Sequence, residues 1–144
     1  MDYAKVKLMS MEKYEQISDV VFRCAFSLIF IVGGLGHFVQ NEVMMARFED
    51  SPWRDSVVTI ADPSLLLYLS GAIMIVFGVL LMIGLWARLA ALALFVALVP
   101  ITIVIHVAPD HVGPLLKNVA ILGGLIHFFV RGAGAYSLDY QRAP

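Results

Sequence analysis

The chain has 144 residues, 60% hydrophobic and 15% charged, with a net charge of −1. Soluble domains hold about 45–50% apolar and about 25% charged residues. This balance, with a mean hydropathy of +0.86, excludes a soluble globular protein and leaves no room for a separate catalytic domain. Near-neutral charge offers no basic surface for nucleic acid, and the single cysteine, Cys24, can close no internal disulfide and completes no metal-ligand spacing.

Residues 1–19 mix Lys5, Lys7 and Lys13 with Asp2, Glu12, Glu15 and Asp19. Their apolar residues are poorly periodic, so at most an interfacial turn is expected there. The first apolar run, Val20 to Val39, is long enough to cross a hydrocarbon core of ~30 Å at ~1.5 Å per residue. It has no small-residue cleavage site and is expected to stay as a transmembrane helix. Arg23 near its start is expected to snorkel to the headgroups, and Cys24 to act as a small buried hydrophobe. Gly33, Gly34 and Gly36 leave bare backbone for close helix approach. His37 follows at once.

Residues 40–63 form a polar connection whose first half, with Val43, Met44, Arg47 and Phe48 at helical spacing, predicts one short interfacial or re-entrant helix. Trp53 is a headgroup-level anchor. Asp62-Pro63 reads as an N-cap followed by proline at the first helical position. The second span, residues 64–85, carries no charge. Trp86 and Arg88 mark the turn to the third span, residues 87–107. There Pro100 removes one backbone hydrogen bond and predicts a bend, with Thr102 near enough to serve a freed carbonyl. A polar hairpin with Pro109, Asp110, His111 and Pro114 leads to the fourth span, residues 114–130, which contains Lys117, Asn118 and His127. A glycine-punctuated tail follows.

These elements predict an all-α integral membrane four-helix bundle, with residues 1–19 and 132–144 as terminal segments around a membrane domain of residues 20–131. Basic residues set its orientation: Lys5, Lys7, Lys13, Arg23, Arg88, Arg131 and Arg142 gather on one side, against Arg47, Arg54 and Lys117 on the other. The positive-inside rule then places both termini in the cytoplasm of a bacterial inner membrane. It also brings His37, His106, His111, Lys117 and Asn118 to one outer face. Two readings stay open. Those residues are interfacial anchors, or His37, His106, Lys117 and Asn118 line an outward pocket with Phe38, Phe48 or Trp53, suited to a quinone head group above an apolar slot. His111, in the loop, is expected to face solvent. His127 lies too far inward to pair with the outer histidines as a haem ligand, and no metal-binding spacing or nucleophilic triad is present.

Four stretches carry a resemblance: IFIVGGLGHF, GVLLMIGLWARLAAL, the third-span His106, and LLKNVAILGGLIHFFVRGAGAYSLD with its Lys-Asn pair and Gly-x-Gly-x-x-Ser-Leu-Asp ending. Together they resemble the DoxX family of small four-helix inner-membrane proteins, from about Val20 to Asp139. The resemblance implies a four-helix bundle in a respiratory or redox setting, either a small membrane subunit linked to quinone chemistry or a non-catalytic accessory subunit of a larger membrane complex or homo-oligomer. It also implies that His37, His106, Lys117 and Asn118 occupy recurrent polar positions. Gly78, Gly84 and Arg88 fall where the family tends to place these residue types. Many relatives carry a glutamate four residues before the glycine matched by Gly78; here that position is Met74. The missing acid moves the expectation from turnover towards binding, with quinone as a bound ligand and not a covalent cofactor.

Overall fold

A computed structural model of the protein describes residues 3–107 and 112–141, and of residues 3–8 and 10 only the backbone. The predicted hairpin with Pro109, Asp110 and His111, the side chains of Lys5 and Lys7, and Arg142 lie outside the described residues. The order is α1 (Tyr3–Val39), α2 (Asn41–Glu49), α3 (Arg54–Ile60), α4 (Pro63–Ile83), α5 (Ala87–Ile101), a π-helical segment (Thr102–His106), α6 (Val112–Arg131) and α7 (Leu138–Gln141). Four of these are long and apolar enough to cross a membrane: Met11–Val39, Pro63–Ile83, Ala87–His106 and Val112–Arg131. The protein is an all-α, multi-pass membrane bundle. Its distal end carries the C-terminus of α1, α2, α3 and the π segment, and its proximal end carries the α4–α5 turn and the tail.

The predicted start of α4 holds in detail. Asp62 caps α4 by accepting from the Leu65 N–H at 2.9 Å, and Pro63 opens the helix. Gly84 closes α4 in a left-handed conformation, φ 68°, a backbone shape that costs a residue without Cβ nothing. Three expectations are corrected. First, α1 does not begin near Val20. It runs unbroken over 37 residues, about 55 Å at the helical rise, because no glycine or proline interrupts the chain before Gly33. Second, the first loop holds two helices and not one. Third, the Thr102 hydroxyl donates to the Leu98 carbonyl at 2.7 Å, whereas the carbonyl that Pro100 leaves without its N–H is that of Val96, four residues back. The helix answers the proline by widening into the π segment.

The helices meet through small residues and rings. A Cβ on Gly34 would stand 2.7 Å from the Gly71 carbonyl oxygen, and one on Gly71 would stand 2.8 Å from His37 Cβ. The backbones of α1 and α4 are therefore nearly in contact, the approach that drives helix association where lipid removes the hydrophobic term. Behind them Phe26 packs against Phe22, Phe30 and Phe128 at centroid distances of 5.3–5.5 Å, and α5 turns Ala87, Ala90, Ala91, Leu94 and Leu98 into the core.

The proximal end is tied by the tail. Arg23 is 2% exposed and does not snorkel. Its guanidinium donates to the carbonyls of Met82 (3.1 Å), Ala133, Ala135 (3.4 Å) and Tyr136 (3.0 Å). Asp139 accepts from the Trp86 and Ala87 N–H groups, at 2.8 Å each. It therefore caps α5, whose own N-cap residue, Trp86, has no side-chain acceptor. In return the Asp139 N–H donates to the Gly84 carbonyl at 2.9 Å. The Gly-x-Gly-x-x-Ser-Leu-Asp ending is in this sense a clasp: Gly132 (φ 81°) and Gly134 (φ 71°) turn the chain. The Ser137 hydroxyl donates to the Gly134 carbonyl at 2.7 Å.

Candidate functional site

At the distal end a cavity of about 620 Å³ opens between α1, α4, α5 and α6, beneath α2 and α3. Every one of the four residues singled out in the sequence, His37, His106, Lys117 and Asn118, lines it. Of the three aromatic candidates, only Phe48 does. Phe38 stacks on Tyr68 at 5.5 Å instead, and Trp53 is exposed. The volume falls within the roughly 300–1,000 Å³ of small-molecule sites.

Each polar group is held by a different device. His37 closes α1 and is 7% exposed. Its Nδ1 lies 3.1 Å from the Leu67 carbonyl and 3.0 Å from the Ser70 hydroxyl of α4. A carbonyl oxygen only accepts, so these contacts assign the proton of the neutral ring to Nδ1 and the lone pair to Nε2. Ser70 in turn donates to Leu67 O at 2.8 Å. Asn118 is buried, and one N–H of its amide donates to the Thr102 hydroxyl at 3.0 Å. The π segment carries both Thr102 and His106, so the widening after Pro100 sets the register of this wall. π-Helical turns inside α-helices recur at functional sites for this reason. Lys117, one residue before Asn118, is exposed at the rim.

The cover of the cavity is anchored rather than loose. The Ser51 hydroxyl, between α2 and α3, donates to the Val104 carbonyl of the π segment. Asn41 donates to the Tyr68 hydroxyl. Arg54 bonds Glu49 and, at 3.0 Å, Asp55, contacts that hold its guanidinium above the usual arginine pKa, Glu49 first. Met44, Met45, Arg47 and Phe48 of α2 form the ceiling.

Charge gives the cavity its character. His37, Arg47, His106 and Lys117 line it, and among the described residues no Asp or Glu does. Met74 is buried and lines the cavity with Phe30 and Ile121. The site is thus a set of donors and ring nitrogens over an apolar floor. It can hold an electron-rich head group whose remainder is lipophilic.

Two participants escaped the sequence. Ser70 carries no expectation from sequence; a hydroxyl at the depth of His37 in an otherwise uncharged span is the available signal. Arg47 was read for its helical spacing and not as a cation over the pocket. His127 lies elsewhere, exposed, edge-on to Phe22 and Phe128 at centroid distances of 6.0 and 5.6 Å. Cys24 is a free thiol, half-buried and not fully enclosed. No group of three or more His, Cys, Asp or Glu able to hold a metal occurs among the described residues.

The family model DoxX matches residues 18–107. The match takes in His37, Met74 and His106 and stops before Lys117, Asn118 and the clasp. No curated protein and no solved structure matches the chain.

Proposed function

The chain belongs to the DoxX family, and from that premise we propose that it is a small membrane subunit of a quinone-linked redox system, whose distal cavity faces the periplasm and takes a quinone head group. The observation that carries this reading is the cavity itself, with donors and histidines beside apolar side chains and, among the described residues, no lining carboxylate. A quinone carbonyl needs donors, which the Lys117 ammonium and the second amide N–H of Asn118 would supply. A quinol hydroxyl needs an acceptor, which the Nε2 lone pair of His37 would supply, while Ser70 and the Leu67 carbonyl fix the ring. The chain's role is to bind and orient the quinone and to receive its proton; a partner of the redox system carries the electrons.

The protein purified in mild detergent is expected to retain quinone in its lipid extract. Lys117→Ala is expected to weaken quinone binding about tenfold or more, the loss of one charge-assisted hydrogen bond, with His106→Ala weaker than wild type as well. An extract without quinone, together with titrations unchanged in both variants, would overturn the reading.

One feature favours a second reading, an accessory subunit docked on a larger membrane complex. The proximal part of α1 exposes Met9, Met11, Tyr14 and Ile17 on a helix longer than a bilayer requires. Gentle purification separates the two: a protein that holds quinone without any associated chain supports the first, and stable co-purification without quinone supports the second.

A further inference from the structure

We propose that the groove at the proximal ends of α5 and α6 binds the phosphate of an anionic diacyl phospholipid, held by Arg88 and Arg131. A cavity of about 700 Å³ lies there, between the start of α5, the end of α6 and the tail. Both arginines line it and both are exposed. Arg88 Nε lies 3.7 Å from the point where a Cβ on Gly132 would stand, so its guanidinium reaches the residue next to Arg131.

Four observations favour an anion-binding role for these cations. Arg23, at the same end, has its guanidinium engaged by four carbonyls. Neither Arg88 nor Arg131 makes a side-chain hydrogen bond or ion pair among the described residues. Asp139 lines the same groove and accepts from the Trp86 and Ala87 N–H groups, so one carboxylate stands against two guanidinium groups and the groove keeps a net positive charge. Arg131 at a helix C-terminus suits the helix dipole, but Arg88 sits in the first turn of α5, where the dipole disfavours a cation. The Asp139 carboxylate at that helix start offsets part of this cost, and a bound anion would offset more of it. Two guanidinium groups match phosphate oxygens in bidentate geometry, and basic pockets between membrane helices are a recurrent form of lipid headgroup site.

The surroundings select a lipid over a free phosphate. Trp86 and Tyr140 flank the groove, 60% and 64% exposed, as amphipathic rings do at headgroup level. Leu89 lies in the groove and is exposed, giving an acyl chain an apolar path away from the arginines. The site is independent of the distal cavity, and its test does not involve quinone.

Native mass spectrometry of the full chain in detergent, titrated with phosphatidylglycerol or phosphatidylcholine of identical acyl chains, tests this. The wild type is expected to prefer phosphatidylglycerol roughly 25-fold, about a factor of five for each arginine near the headgroups. Arg88→Gln with Arg131→Gln is expected to bring the two lipids to near parity, whereas Arg54→Gln at the distal end leaves the preference intact. A double variant that keeps the preference overturns the proposal. So does inorganic phosphate that displaces phosphatidylglycerol at equal concentration, which would reassign the groove to a soluble anion. If the double variant fails to fold, salt decides on the wild type: the preference must collapse at molar ionic strength, and one that survives there overturns the proposal.

Discussion

At the residue scale, the most exacting position is Asp139. It lies 53 residues after Trp86 in sequence and yet caps the helix that Trp86 begins. A local N-cap is worth about 0.5–2 kcal/mol. Asp139→Ala, which also leaves two N–H groups without their acceptor, is expected to lower stability by about 1–2 kcal/mol. Asp139→Asn keeps one acceptor oxygen and should fall between. Thermal unfolding in detergent checks both, and an unchanged midpoint in Asp139→Ala would show that the carboxylate does not cap. The sequence did contain a hint. The Gly-Leu-Trp-Ala turn offers no side-chain acceptor for α5, so an acceptor had to come from elsewhere, and the tail ends its glycine motif on an acid. What sequence alone lacks is the pairing of the two across so long a separation. Arg23 was misread for the same reason: a cation at the start of a span looks like a headgroup anchor until the carbonyls that surround it are in place.

At the element scale, α1 and α4 form the tightest pair, and Gly34 against Gly71 sets their spacing. Gly34→Leu is expected to cost about 1–3 kcal/mol by overpacking. It should also draw His37 away from Ser70 and the Leu67 carbonyl, so the loss of thermal stability should be accompanied by a changed His37 ring environment in NMR. Retention of both would place the contact elsewhere. The four spans were legible because apolar runs of about 20 residues have few alternatives, and Asp62-Pro63 was legible because cap and proline act locally. The meeting of His37, His106, Lys117 and Asn118 also followed from sequence, once alternating helix direction put them at one end. The extension of α1 to Tyr3 was hidden because interleaved charges blur periodicity without breaking a helix. The π segment was hidden because a proline announces a disturbed helix but not which way the helix relaxes.

At the scale of the whole molecule, the proposed orientation, with both ends of the chain in the cytoplasm, rests on how the cations divide between the two ends of the bundle. Lys13, Arg23, Arg88 and Arg131 lie towards the proximal end, against Arg47, Arg54 and Lys117 at the distal end. With Cys24→Ser as background, a cysteine replacing Asp50 is expected to react with an impermeant maleimide on intact cells, and one replacing Tyr140 only after permeabilisation. The opposite pattern would turn the distal cavity towards the cytoplasm. The clasp adds a temporal dimension. The carboxylate that completes the α4–α5 turn is translated 53 residues after Trp86, roughly 3–10 s later at ordinary rates of synthesis. Until then the first N–H groups of α5 lack the Asp139 carboxylate, and Arg23 lacks the three tail carbonyls that it binds in the finished fold. The proximal end can therefore be latched only after nearly the whole chain has been made.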